Sequence, residues 1–193
     1  MIKTFLVSIS TLLIVANAKG QKQVSFGLKA GVNFATVQNY FTDNKFKVGV
    51  NAGLFSKFRF SKNFAFQPEL FYSQKGTKYG TSIGDRTLSL TYFSLPLLGQ
   101  YLPTQKLSVS AGPELNFRLG TPTAYRTFDL TIVAGVSYWI KRLGIDLRYD
   151  HGFNNLIELE ALDENGYETG QKKTFGSNRV LQLSLMYTLT KGN

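Results

Sequence analysis

The sequence predicts an all-β fold, an eight-stranded antiparallel up-and-down transmembrane β-barrel. Three observations predict it: a leader for export, long segments in which apolar and polar residues alternate, and connections that are tight and long by turns. Residues 107–120 show the alternation most cleanly. Leu107, Val109, Ala111, Pro113, Leu115, Phe117 and Leu119 fall on one face, with Ser108, Ser110, Gly112, Glu114, Asn116, Arg118 and Gly120 on the other. Successive side chains of a strand point to opposite faces, so this segment is a wall with one oily side. It is about twice the usual length of a strand in a soluble protein.

The leader comes first. Met1 and Lys3 form a short positive region, residues 5–15 are apolar apart from Ser8, Ser10 and Thr11, and Ala16-Asn17-Ala18 is a small-x-small cleavage site. The expected organisation is a signal peptide at 1–18 and one barrel domain at 19–193. The apolar stretch falls short of the roughly 20 residues that a membrane-spanning helix needs. Cysteine is absent, which excludes disulfides, thiolate metal sites and a lipidated cysteine. The formal net charge is +10, and losing Lys3 with the leader leaves about +9. In an exported chain that surplus predicts outer-membrane lipid and lipopolysaccharide phosphates as partners, and no nucleic acid.

Eight segments then carry the alternation. In 24–35, Val24, Phe26, Leu28, Ala30, Val32 and Phe34 oppose Ser25, Gly27, Lys29, Gly31 and Asn33; in 46–60, Val48, Val50, Ala52, Leu54, Phe58 and Phe60 oppose Lys47, Gly49, Asn51, Gly53, Lys57 and Arg59. The third, 64–75, sets Phe64, Phe66, Pro68, Leu70 and Tyr72 against Gln67, Glu69, Ser73 and Lys75. The fourth, 87–102, changes phase: Leu88, Leu90 and Tyr92 share one face, Phe93, Leu95 and Leu97 the other. That change predicts a β-bulge near Tyr92-Phe93. Segment 107–120 is fifth. The last three are 127–141, with Phe128 to Ile140 on the even apolar positions, 143–153, with Leu143, Ile145, Leu147 and Tyr149 against Gly144, Asp146, Arg148 and Asp150, and 179–190, with Leu181, Leu183, Leu185, Tyr187 and Leu189 against Gln182, Ser184, Met186 and Thr188.

Alternation alone leaves the inside undecided, because a soluble lipocalin-like carrier of lipophiles would turn the apolar face inward. Three features choose the membrane. The polar face mixes charges with many glycines, as a narrow, filled lumen requires. Strands of this length, tilted, cross an apolar layer about 25 Å tall. Connections 61–63, 103–105 and 141–142 are tight, whereas 36–45, 76–86 and 154–178 are long, as expected for periplasmic turns and outer loops; 121–126 is a short exception. An even strand number closes a ring without a free edge, which a bilayer demands. Aromatics gather near both proposed ends, Phe26, Phe58, Phe64, Tyr101, Tyr138 and Tyr187 at the inner, Phe34, Tyr72, Phe117, Phe128, Tyr149 and Phe153 at the outer.

The stretches Gly27-Leu28-Lys29-Ala30-Gly31-Val32-Asn33, Gln67-Pro68-Glu69-Leu70-Phe71-Tyr72-Ser73-Gln74-Lys75-Gly76 and Phe93-Ser94-Leu95-Pro96-Leu97-Leu98 resemble the outer-membrane protein β-barrel domain family, the small porin-family barrels of Gram-negative bacteria. Gly112-Pro113-Glu114, Gly152-Phe153-Asn154-Asn155-Leu156 and Asn178-Arg179-Val180-Leu181-Gln182-Leu183 extend the resemblance over nearly the whole chain after the leader. The resemblance implies a small outer-membrane barrel placed by the barrel assembly machinery, and implies no particular activity. The chain departs from the family's terminal aromatic residue: Tyr187 and Leu189 are followed by Thr190-Lys191-Gly192-Asn193.

The candidate site is the lumen. Lys29, Arg59, Glu69, Glu114, Arg118, Asp129, Asp146 and Arg148 are expected to form a polar network, with Arg118 and Asp129 paired across strands. Such a network is either a plug that satisfies inward polar groups or a gate in a narrow channel for small solutes or ions. Eight strands leave an interior just wide enough for side chains, which favours the plug. Outside, Glu158, Glu160, Asp163, Glu164, Glu168, Lys172 and Lys173 are candidates for contact with the exterior. Asp163 to Glu168 lacks the spacing of a calcium loop, and no cofactor or metal is called for. His151 is the only histidine; adjacent strand residues face opposite ways, so Asp150 cannot orient its ring for catalysis. No enzymatic activity is expected.

Overall fold

The computed structural model describes residues 23–38, 44–81, 84–120, 127–153, 157–162 and 168–190. The leader cleavage site, the 121–126 connection and residues Asp163 and Glu164 lie outside them. The strands are β1 (Gln23–Gln38), β2 (Asn44–Lys45), β3 (Lys47–Arg59), β4 (Phe64–Thr81), β5 (Gly84–Tyr101), β6 (Leu107–Leu119), β7 (Phe128–Ile140), β8 (Leu143–Gly152), β9 (Ile157–Leu162), β10 (Glu168–Phe175) and β11 (Ser177–Thr188).

Eight of them close a ring in the order β4, β3, β1, β11, β8, β7, β6, β5, with β5 pairing back on β4 and β2 extending the edge against β4. Every pairing is antiparallel. The partners also fix the stagger. Phe66 is reached from Phe34 through Leu181, Tyr149, Ala134, Ala111 and Gly99, and in the other direction from Val24 through Phe58. The ring therefore closes ten positions displaced along β1, from 24 to 34. Such a shear tilts the strands about 35–45° and leaves an interior that side chains can fill. The 13 residues of β6 extend about 40 Å and, so tilted, rise about 30 Å, enough for the hydrocarbon layer.

The apolar face points out. Leu28, Val50, Leu54, Ile145, Leu147 and Leu185 are exposed, whereas Lys29, Asn51, Glu69, Glu114, Asp146 and Arg148 are buried. An apolar belt around the whole ring has no place in water, and its orientation removes the lipocalin-like carrier. Phe26, Phe64, Tyr101, Tyr138 and Tyr187 at one end and Phe34, Tyr72, Phe117, Phe128, Tyr149 and Phe153 at the other all stand on this outer face. His151 shares the face, 5.3 Å from the ring of Phe153 and 6.4 Å from that of Tyr149, while Asp150 is buried on the opposite side.

Three expectations change. No bulge interrupts Tyr92-Phe93: Tyr72↔Phe93 and Ser73↔Tyr92 belong to one unbroken register from Phe64↔Tyr101 to Thr81↔Gly84. Leu90 and Tyr92 keep the inward phase and are buried in the lumen. The irregularity is elsewhere, around Phe46, where the seven positions 45 to 51 face the six positions 73 to 78, one extra residue on the first strand. Second, 76–86 is not a long loop, since β4 and β5 run on as a hairpin to Thr81↔Gly84. Third, within 154–178 the strands β9 and β10 pair with each other, Phe175↔Ile157 through Glu168↔Leu162, as a separate two-stranded sheet.

The inner turns show why they are tight. Ser61 Oγ accepts from the backbone N–H of Asn63 and Phe64, and Thr104 Oγ1 from those of Lys106 and Leu107, local bonds that replace ladder partners. Between Ile140 and Leu143 only Lys141 and Arg142 intervene, and Lys141 takes the left-handed conformation that such a two-residue reversal requires.

Candidate functional site

The lumen is built from the inward phase of each strand, and the structure divides the candidate residues into two clusters. In the first, Arg148 of β8 donates from both terminal nitrogens to Glu69 of β4, at 2.7 and 2.6 Å. Its Nε lies 2.6 Å from Asp146 Oδ2. Lys29 of β1 completes the group, with Nζ 2.8 Å from Asp146, 3.4 Å from Glu69 and 3.1 Å from Gln182 Oε1. Ser137 Oγ donates to Asp146, and Gln67 to Glu69, each at 2.6 Å. Two cations thus face two carboxylates, and the bidentate Arg148–Glu69 pair fixes the geometry.

The second cluster lies toward the outer end of β4. Lys75 Nζ sits 2.7 Å from Glu114, 3.1 Å from Asn116 Oδ1 and 3.5 Å from Asp150. Asn116 also accepts from Ser94 at 2.6 Å. One ammonium here serves two carboxylates, and Asp150 Oδ1 has no hydrogen-bond partner among the described residues. Between the clusters a run of amides and hydroxyls links Gln182, Asn33, Asn51, Ser184 and Ser73.

Apolar side chains seal the polar middle from both ends. On the outer side Tyr92, Leu90 and Val37 are buried together, and Lys75 Nζ lies 5.8 Å from the Tyr92 ring. On the inner side Phe55 meets Trp139 edge-on at 6.0 Å, and Met186 and Leu98 are buried; Phe71, two positions outward of Glu69 on β4, sits between the clusters with Lys29 Nζ 5.4 Å from its ring. Glycine makes the room. Gly27 pairs with Phe55, Gly53 with Phe71, Gly144 with Trp139 and Gly135 with Arg148. In each case a Cβ on the glycine would collide with its large partner. These four inward glycines thus each take a neighbouring strand's large side chain across their face.

Of the predicted network, Lys29, Glu69, Asp146 and Arg148 come together, and Glu114 belongs to the second cluster. Asp129 stands opposite Asn116, accepts from Asn178 at 2.9 Å and lies diagonal to Arg118, whose backbone N–H bonds Thr127. Arg59 joins neither cluster and is placed at the inner mouth. Lys75 and Asp150 are legible as inward residues from their phase but not as partners, since nothing local ties β4 to β8 across the ring. Phe55, Phe71, Trp139 and Tyr92 give no such signal, because large apolar residues on a polar phase look like irregularity. Among the outer candidates, Glu160 pairs with Lys172, Glu158 with Thr174 and Lys173 with Leu159 as backbone partners, and Glu168 with Leu162.

The family model for the outer membrane protein beta-barrel domain matches residues 16–158. Ail, the attachment invasion locus protein of Yersinia pestis, solved with the heparin analogue sucrose octasulfate, shares the fold at a TM-score of 0.52 and 13% identity, over 86% of this chain and 99% of Ail. Neisserial surface protein A (NspA) is similar at 0.51 and 14%, over 86% and 99%. No curated protein matches by sequence.

Proposed function

This chain belongs to the outer membrane protein β-barrel domain family and resides in the outer membrane, and on that premise we propose a non-enzymatic barrel with a lumen plugged by its own side chains. Its outer connections, chiefly 154–178 with Glu158, Glu160, Asp163, Glu164, Glu168, Lys172 and Lys173, then carry contact with the exterior, lipopolysaccharide included. The observation that carries the plug is the bidentate Arg148–Glu69 pair spanning the lumen with Lys29 and Asp146, between apolar layers at Tyr92 and Phe55. A conducting path would have to part these groups, and separating a buried pair leaves uncompensated charge worth about 3–5 kcal/mol. Planar-bilayer recording tests it. The plug predicts no steps for the native barrel and openings in Arg148→Ala. Native conductance that changes with Glu69→Gln would establish the narrow channel instead. The phospho-sugar chemistry of lipopolysaccharide suits Lys172 and Lys173 as point charges; loss of lipopolysaccharide retention on exchanging both for Glu, with the barrel intact, tests that contact.

A further inference from the structure

The inner mouth of the barrel holds a cavity of about 270 Å³ that the plug does not fill. Its wall carries four cations from opposite sides of the ring: Lys57 and Arg59 two positions apart on β3, and Lys141 and Arg142 in the turn between β7 and β8. Among the described residues no carboxylate lines it, and hydroxyls of Ser25, Thr188 and Thr190 lie between the cations. None of the four cations makes a salt bridge among the described residues. Lys57 leans instead on the Trp139 ring, with Nζ 4.9 Å from its centroid, and that ring packs on Phe55. The cavity thus has an apolar floor and a rim of one sign, the arrangement in which low-dielectric walls focus the field on an incoming counter-ion.

From this we infer that the inner mouth is a phosphate-binding site. Cations converging from two sides, with hydroxyl donors between them, match a tetrahedral oxyanion better than a planar carboxylate: Arg59 and Arg142 offer forked donors, and Lys57 and Lys141 point charges. The volume, about nine times that of a bulk water, admits one phosphate group with part of its shell or of a glycerol attached. The mouth lies at the level of the tight turns, the periplasmic end of the barrel. A phosphate can reach it there from a phospholipid of the inner leaflet or from solution.

Trp139 is the chain's single tryptophan, so its fluorescence reports on the floor of the cavity. Refolded barrel in zwitterionic detergent is titrated with inorganic phosphate at constant ionic strength, and the same protein is compared in nanodiscs of phosphatidylcholine with and without phosphatidylglycerol. A saturable change of Trp139 emission is expected as Lys57 is drawn off the ring. It should weaken about tenfold for each forked contact removed in Arg59→Gln and Arg142→Gln, while heat-modifiable gel mobility stays native. Response to inorganic phosphate assigns the source to solution, and response to phosphatidylglycerol alone assigns it to the lipid. A flat signal in both arms, or a response that the two variants leave unchanged, overturns the site. Lys57→Met removes the cation over the ring and checks that the emission reports that contact: its baseline should shift without phosphate.

Discussion

The middle of the lumen and its inner mouth meet the same difficulty, charge within a narrow ring of strands, in opposite ways. In the middle, Lys29 and Arg148 are matched by Glu69 and Asp146 at hydrogen-bond distance, all four buried. At the mouth, Lys57, Arg59, Lys141 and Arg142 line one cavity with no carboxylate among the described lining residues. The difference follows from solvent. A charge cut off from water must find its partner in the protein, whereas Arg59, Lys141 and Arg142 keep part of their exposure at the open rim and stay available to an outside ion, with Lys57 alone drawn down onto the Trp139 ring. Charge in the middle therefore stabilises one packing of the barrel, and charge at the mouth is free for binding.

The contrast between the two regions breaks most visibly at Arg148. Arg148→Met leaves Glu69 without its bidentate partner and Asp146 with Lys29 as its one neighbouring cation beside the Ser137 hydroxyl. Unfolding of refolded barrel by urea, followed by loss of heat-modifiable mobility, should show a loss of about 3–5 kcal/mol. The second cluster gives an internal contrast. Lys75→Met strands two carboxylates and should cost about 3 kcal/mol or more by the same measurement. Asp150→Asn removes one of two negative charges sharing a single ammonium, gives up only the 3.5 Å contact, and should stay within about 1 kcal/mol. Equal effects of these two would show that Lys75 and Asp150 are a closed pair.

Gly135→Val probes the room made for Arg148. The added side chain meets the Arg148 Cγ, so a loss of about 1–3 kcal/mol is expected. In combination with Arg148→Ala, which removes that Cγ, the two effects should fall short of additive, the remaining cost of Gly135→Val coming from the Leu147 carbonyl oxygen that its Cβ also meets. The smallest effect belongs to the mouth. Arg59→Gln should shift the urea midpoint by no more than about 0.5 kcal/mol equivalent, and a larger loss would mean that Arg59 is part of the plug.

Much of the fold is legible in the order of residues along the chain. The eight alternating segments correspond to the eight ring strands with ends moved by a few residues, as β6 shows, 107–120 expected against Leu107–Leu119 found. The phase of Lys29, Glu69, Asp146 and Arg148 puts them on one surface. That Arg148 chooses Glu69, 79 positions away, is not legible there, because the choice depends on the stagger of the closed ring. The mistaken bulge at Tyr92 has the same origin: an apolar residue in a polar phase reads as a shift of register until the lumen offers Val37 and Leu90 to pack against.

The sequence by itself determined the strands, because period-two alternation is a property of one strand. It pointed the apolar face outward to a membrane through strand length, the alternation of tight and long connections and the mix of charges with glycines on the polar face. Only the closed barrel decided which charges pair, which glycines take up a neighbour's large side chain and where a cavity remains. Those depend on the ten-residue displacement that brings β4 opposite β8 across the lumen, a relation between strands that no single segment contains.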